Sequence, residues 1–571
     1  MRTLKRHQVG ALPLLHAIVQ RAGLREVIER YVPTHGNDQI PVVDTLLLLG
    51  FNLSIGKQPL YELPAWVDAI DLGAIGYADY DPHKFNDDRF GRALDRLYAA
   101  DRASLMTELV SRCVTTFDLD LSRIHNDSTT IRAFGAYPGK TRSGVELKRG
   151  HSKDHRPDLK QLVFSLSLCA DGAVPVHHKV YPGNRTDDTT HIETWNTLRK
   201  ITPSPDFLYV ADCKLCTDEQ LTYITKHGGR AITIIPETWA EVAEFKSTLR
   251  STRKTKKEIW RRPKPNQEQQ NEYFCVFTGE HFTRKRGYRI HWIHSSEKRR
   301  RDRSARDTRL VKTETALMEL NARLNTRNLK QRPAIEAAVS DILDKFQTRA
   351  VLDIRIGDSR EHERIQIGKG RPGKHTRYRI HSRHIHTLTW SRNLKALKLE
   401  ARTDGLFPLL CTDPTLSAKQ GLLAYKYQPR LEKRFSQFKS FHNAAPLLFK
   451  KVSRIEANCF VFFIALIIQA LIEREVRLHM HRDAINALPI YPEQRDADRP
   501  TTNKIIDLFE PLSTYSIIEN NKIVEAFKDK LSETQKTILK FLNIREPGFW
   551  VLNQKTDDKI IGKSLNRRRG K

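Results

Sequence analysis

Cysteine and methionine are scarce in this 571-residue chain, at seven and four. The cysteines are odd in number and scattered, which argues against a disulfide framework and suits a reducing cytoplasm. Only Cys213-Lys-Leu-Cys216 has the spacing of a zinc or redox pair. No second Cys or His pair stands at zinc-finger distance from it, so incidental buried thiols are expected. The aromatic-glycine signatures of common RNA-binding modules are missing, which sets aside a generic basic RNA-binding protein. Long apolar runs are missing too. The most apolar stretch, Cys459 to Ile468, is broken by Gln469 and bounded by Arg454, Glu456, Glu473 and Arg474. It is too short to span a bilayer and reads as a buried core helix. Met1-Arg-Thr-Leu-Lys-Arg-His7 holds no apolar signal core and neither end carries a lipidation signal, so neither secretion nor a membrane partner is expected.

Acidic residues also fall short. Against 67 Asp plus Glu stand 97 Lys plus Arg, a net charge of +30. That excess favours a polyanionic partner, with nucleic acid first among the candidates. The length calls for two to four domains.

The hydropathy pattern divides the chain into five segments. Residues 1–115 read as a helical N-terminal domain for DNA-end binding or dimerisation, with apolar stripes at Leu14, Leu15, Ile18 and Val19 and at Leu24, Val27, Ile28 and Tyr31. Val42 to Leu53 and Asp87 to Val110 are expected as further helices. Residues 116–236 switch to strand patterns: Phe164, Leu166 and Leu168 alternate with serines, Val174 and Val176 lead to a turn at Pro182-Gly-Asn184, and apolar runs cover 207–211 and 231–235. Helices at 188–201 and 217–227 separate the last of these, which predicts an α/β fold with a partly antiparallel sheet. Residues 237–400 form a basic insertion, with strands near Tyr273–Thr278 and Tyr288–Ile293 and polar helices over 297–348 that face solvent or DNA. Residues 401–490 and a C-terminal helical region with a basic tail, 491–571, complete the chain.

Three carboxylates carry the chemistry. Asp127 closes Ser-Arg-Ile-His-Asn-Asp127, and Asp212 closes the apolar run Phe207-Leu-Tyr-Val-Ala-Asp212, which reads as a parallel strand. Turns favour Asp, so either alone is commonplace. Two neighbouring parallel strands ending in Asp would, however, bring two carboxylates close enough to share a cation. Glu432 lies in Tyr425-Lys-Tyr-Gln-Pro-Arg-Leu-Glu432-Lys-Arg-Phe-Ser-Gln-Phe-Lys439. Pro429 suits the first turn of a helix, which puts Tyr425 in the preceding loop or turn, while Glu432 and Lys439 share a face two turns apart. On spacing alone Glu432 is a surface glutamate paired with Lys433 or Arg434. Hard divalent ions such as Mg²⁺ or Mn²⁺ are the cations that carboxylate oxygens favour.

The ordered set His125-Asn-Asp127-Ser-Thr-Thr130, Gly150-His-Ser-Lys-Asp-His-Arg-Pro-Asp-Leu-Lys-Gln161, Pro182-Gly-Asn184, Ala211-Asp212 and Tyr425 to Lys439 resembles the bacterial insertion-sequence DDE transposases of the insertion-sequence-four-like group. Their third acid lies in a Tyr-x2-Arg-x3-Glu-x6-Lys signature, and residues 1 to about 110 resemble the helical domain often found on such proteins. The resemblance implies a ribonuclease-H-like mixed-sheet core in which Asp127, Asp212 and Glu432 are catalytic and hold two Mg²⁺ or Mn²⁺ ions, with Tyr425, Arg430 and Lys439 contacting DNA. It implies cleavage of element ends and their joining to target DNA, double-stranded DNA as partner, a homodimer in the active complex, and a place in the bacterial cytoplasm at the nucleoid. One position departs: the signature arginine falls on Gln428, and the nearest arginine is Arg430. Two other readings compete, a nuclease of the same fold that cleaves without joining and a DNA-binding protein that has lost catalysis.

Overall fold

A computed structural model describes residues 2–133, 144–150, 158–202, 204–264, 267–326, 328–444, 451–493, 495–520 and 522–550. The chain divides into two compact units, one built from Met1–Thr233 and Leu423–Lys571, the other from Ile234–Leu422.

The first unit begins with a strand, Arg2–Gln8, that pairs antiparallel with Ser513–Glu519 near the other end of the chain. This corrects the all-helical reading of the N-terminal segment. Arg-Thr-Leu-Lys-Arg-His-Gln has no apolar stripe, and only a partner some five hundred residues away makes it a strand. Helices Leu12–Ala22, Leu24–Tyr31 and Val42–Ser54 follow as expected, the first stopped by Gly23 in the left-handed region at φ 62°. The amphipathic run after Asp87 is two helices, Asp87–Ala99 and Arg102–Phe117. The break has a local cause: the Asp101 side chain accepts the Ser104 N–H and caps a new helix.

All four strand patterns of residues 161–235 form strands. Their sheet runs in the order Pro175–Pro182, Gln161–Cys169, Arg123–Arg132, Leu208–Val210, Arg230–Ile234. The first two neighbours pair antiparallel and the last two parallel, so this is a mixed α/β sheet. Every residue of Gln161–Cys169 is buried, which explains its unbroken small-and-apolar sequence.

The helix Val452–Arg482 packs on this sheet and on the N-terminal helices. At 31 residues it is much longer than its apolar kernel. On length and hydropathy alone it could cross a bilayer, but 94% of its most apolar window is buried inside the protein. Phe463, Ala465, Leu466, Ile467 and Leu471 are fully buried, each large side chain contributing about 1.5–3 kcal/mol.

The second unit holds four antiparallel strands in the order Leu406–Cys411, Arg289–Ser295, Gln267–Phe277, Lys256–Lys264. The two central strands were expected. Lys256–Lys264 was hidden by its charge, which the structure leaves largely exposed on an edge. Helices Ser296–Ala322 and Arg332–Phe346 enclose a separate core of Leu310, Leu317, Ile335, Val339, Leu352 and Leu388. From that core rises a two-stranded antiparallel ribbon, Leu352–Gln366 with Tyr378–Arg392, which the sequence pattern did not suggest. Beyond its base almost every ribbon residue is exposed.

Candidate functional site

Asp127 does not end its strand. Arg123–Arg132 continues for five residues past it, because the antiparallel neighbour pairs as far as Arg132↔Gln161. The parallel neighbour stops earlier, with His125 opposite Val210. Two residues beyond that pair stand Asp127, still within its strand, and Asp212, which has left its strand to cap the turn Cys213–Leu215. The equal offset favours one face of the sheet for both carboxylates.

Each acid is locally held and half-buried. Asp127 Oδ1 accepts the Ser128 N–H at 2.7 Å. Asp212 Oδ1 accepts the Lys214 N–H at 3.0 Å and so caps the short turn Cys213–Leu215, while its main-chain oxygen takes the Thr233 hydroxyl at 2.5 Å. Behind Asp127, the buried Asn126 amide donates to the Ser165 and Ser167 hydroxyls and to the Leu166 carbonyl. Alternation then turns Asp127 to the opposite face.

Glu432 arrives on the helix Pro429–Ala444. Leu431, Arg434 and Phe435 are buried and Glu432 is exposed. The commonplace ion pairs do not form: the Arg434 guanidinium donates to Gly172 and Ala173 main-chain oxygens and to Glu473, and among the described residues Glu432 has no ion pair. Tyr425 is the last residue of a helix, Ala418–Tyr425, rather than part of a loop or turn.

Tyr425 feels the charge of all three acids. Its phenol is raised well above the usual range, first by burial and then by the negative charges of Asp212, Asp127 and Glu432, with the Cys213 thiol contributing. One hydroxyl therefore lies within electrostatic reach of all three carboxylates. The Cys213 thiol is itself raised, by burial and then by Asp212, which suits an inert thiol rather than a ligand. Among the described residues, no three His, Cys, Asp or Glu side chains stand close enough to hold a metal ion.

Gln428, the departure from the signature, is buried at the hinge of this arrangement. Its Nε2 donates to the Asn126 carbonyl at 3.0 Å, and its Oε1 lies 3.1 Å from His125 Nδ1. Burial lowers His125 to a pKa of about 4, so the ring is neutral and carries its proton on Nδ1, donating to Gln428. A polar residue within an aromatic-rich signature was the only trace of this role in the sequence.

Arg430 is not brought to the acids. It lies on the opposite face of the helix, lining a cavity with Lys433, Arg434 and Arg477. Lys439 falls on the Glu432 face by spacing, and its side chain lies outside the described residues. So do residues 151–157 of the Gly150–Gln161 motif and the C-terminal basic tail. The two glycines that remain interlock: a Cβ on Gly183 would come within 2.1 Å of the Gln161 oxygen and 2.2 Å of the Lys148 oxygen, and one on Gly150 within 2.2 Å of the Gly183 oxygen. Close backbone approach, not turn geometry, requires glycine there.

Residues 4–111 match a domain of unknown function, DUF4277. That match covers the N-terminal segment and well under half of the chain. Nothing among curated proteins matches. Among solved structures, a piggyBac transposase synaptic complex with hairpin DNA matches over 95% of this chain and 84% of that chain, at 7% identity and a TM-score of 0.36. A likeness of that size fixes neither the fold nor the activity of this chain.

Proposed function

We propose that the chain is a DNA transposase with a ribonuclease-H-like core, in which Asp127, Asp212 and Glu432 hold two Mg²⁺ or Mn²⁺ ions. The observation that supports this reading is the equal offset of Asp127 and Asp212 past the end of one parallel strand pair, with the charges of both and of Glu432 acting on the Tyr425 hydroxyl. The donor set is all carboxylate oxygen, the chemistry of a hard divalent ion. When bound, such ions activate a hydroxyl nucleophile and offset charge on the leaving oxygen of a phosphodiester.

The protein's own part is positional. The two aspartates fix one edge of the scissile phosphate, Glu432 closes the other, and the Gln428 contacts hold the two edges together. Tyr425, protonated at neutral pH, offers a hydroxyl donor to a phosphate oxygen. The 3′ hydroxyl freed by cleavage of an element end then attacks target DNA at the same acids, so no covalent protein intermediate is needed. Pairing of two ends implies a homodimer in the active complex, acting in the bacterial cytoplasm at the nucleoid.

The ribbon of the second unit supports duplex DNA as the partner. Cross-strand partners share a face. Beyond the base, one face carries Arg360, His362, Arg364 and Gln366 opposite His384, Ser382, Ile380 and Tyr378. No acid lies on it. Glu361 and Glu363 are both on the other face, opposite Arg383 and His381. A two-stranded ribbon fits the major groove, and a face cleared of acids suits phosphates and base edges.

The deciding assay uses purified protein, Mg²⁺, labelled DNA carrying the encoding element's own ends, and a target plasmid. Wild type is expected to cleave and join; Glu432→Gln is expected to do neither. Cleavage without joining would favour the nuclease reading, and binding without either reaction would favour the inactive DNA-binding reading.

A further inference from the structure

The helix that carries Glu432 has a second charged face. Arg430, Lys433, Arg434 and Gln437 recur at three- and four-residue spacing on the side away from Glu432. They line a cavity of about 330 Å³, together with Glu473 and Arg477 of the long buried helix. The charge there is unbalanced. Glu473 is the single acid of the lining, and its carboxylate is already engaged. Its Oε1 takes Arg477 at 2.5 Å, and its Oε2 takes Arg434 at 3.4 Å and the Thr502 N–H and hydroxyl, each at 3.3 Å.

Arg430 and Lys433 have no ion pair among the described residues, nor does Arg499, which is near enough to repel both. Arg430 is half-buried. Burial first, and then the neighbouring cations, lower Arg430 and Lys433 from their ordinary values. Arg477 is lowered by burial and by Arg430 and Arg499, against the pull of Glu473. Five cations therefore crowd about one saturated carboxylate. Such a cluster destabilises the empty protein and is relieved by an anion.

We infer that this cavity is a phosphate-binding site, in which Arg430 and Lys433 grip a phosphate group while Arg434 and Arg477, fixed by Glu473 and by main-chain oxygens, form its rigid back wall. Arg434 donates to Ala173 and Gly172 at 3.2 and 3.1 Å, and Arg477 to Pro500 at 2.9 Å. Two preset guanidiniums lose little conformational freedom on binding. The cavity is open to solvent and larger than one phosphate, so the group can belong to a DNA backbone or to a free anion. The site lies on the face of the helix away from Glu432, and it does not depend on the transposase reading.

The test uses the full-length protein without divalent ions, and the variant Arg430→Gln/Lys433→Gln, which leaves both Glu473 pairs in place. Inorganic phosphate is titrated calorimetrically, and a labelled 40-base-pair duplex is titrated at several salt concentrations. Wild type is expected to bind phosphate and the variant to bind it at least tenfold more weakly. Loss of duplex affinity alongside, with the slope of log affinity against log salt shallower by about 0.9 for each phosphate contact removed, assigns the group to the DNA backbone. Loss of phosphate binding with unchanged duplex binding assigns it to a free anion. Equal phosphate affinity in both proteins, or none in wild type, overturns the site. Should the double variant melt early, the single variant Lys433→Gln, on an exposed side chain, reads the same quantities. Cleavage plays no part in these measurements, so failure of the catalytic assay and failure of this site are distinguishable.

Discussion

Gln428 donates its side-chain amide to the main-chain oxygen of Asn126, at 3.0 Å, across 302 residues of sequence. That bond ties the start of the Glu432 helix to the strand that holds Asp127. Replacing Gln428 with Ala strands a buried carbonyl and the buried His125 Nδ1–H, a cost of about 1–3 kcal/mol for each unsatisfied group. Thermal unfolding should fall by several degrees, and any Mg²⁺-dependent cleavage should fall further than the lost stability explains. Cleavage at the parental rate in a folded Gln428→Ala protein would show that the tie does not position Glu432.

Asp127→Asn and Asp212→Asn each keep side-chain shape and the local hydrogen bonds that an amide oxygen can accept. Both are expected to lower cleavage by roughly a hundredfold or more, while duplex affinity in the absence of metal stays within about twofold. A mutant that cleaves normally would remove that acid from the site.

The sequence made part of this visible. The strand before Asp212 is legible because a buried parallel strand is an uninterrupted apolar run, and the helix of Glu432 because Pro429 suits a first turn; on spacing alone Glu432 reads as a surface glutamate, and only the resemblance sets it beside the aspartates. The place of Asp127 within its strand was not legible, since strand length is set by the antiparallel partner at Gln161 rather than by residues near Asp127. The ribbon escaped notice for a related reason: both its faces meet solvent beyond the base, so neither acquires an apolar alternation. Arg2–Gln8 needs Ser513–Glu519 to be a strand at all, and no local pattern can report a partner so distant.

Buried histidines make stability pH-dependent. His125 and His177 are lowered to about 4 by burial, so the fold prefers them neutral, whereas the unfolded chain protonates them near 6.5. Their contribution is complete above pH 6.5 and is lost as the pH falls from 6.5 towards 4, at up to about 1.4 kcal/mol per pH unit for each group. Melting temperatures recorded from pH 7.5 to 4.5 should fall over the lower two units. His125→Gln should flatten part of that dependence, and an unchanged pH profile would contradict the neutral ring.

Gly183→Ala should be far more costly than its one methyl suggests. The added carbon would overlap two main-chain oxygens, and backbone does not yield as side chains do, so about 1–3 kcal/mol or more is expected. Gly373→Ala, at a ribbon position with open space around it, is the control and should be close to neutral in chemical denaturation. Equal effects would mean that Gly150 and Gly183 do not interlock.

Shortening the ribbon, by joining Asp358 to His386 through a two-residue turn, keeps Leu352 and Leu388 in their core. Duplex affinity should drop by tenfold or more with a shallower salt dependence, and dimethyl sulfate protection at guanine N7 in the major groove should disappear. Undiminished binding would place the DNA surface elsewhere.

The first unit is interrupted in sequence by the second. A ribosome that has released residues 1–233 has made Asp127, Asp212 and the five strands of the mixed sheet all but complete, yet it must still synthesise the 189 residues of the second unit before the Glu432 helix and the long apolar helix begin to emerge. At elongation speeds of about 5–20 residues per second that interval is roughly 10–40 s. During it the apolar face of the sheet waits for its cover while the intervening unit is free to settle first. Order of synthesis and order of assembly therefore differ, and a message cut short within the second unit yields a protein with neither a closed core nor a third carboxylate.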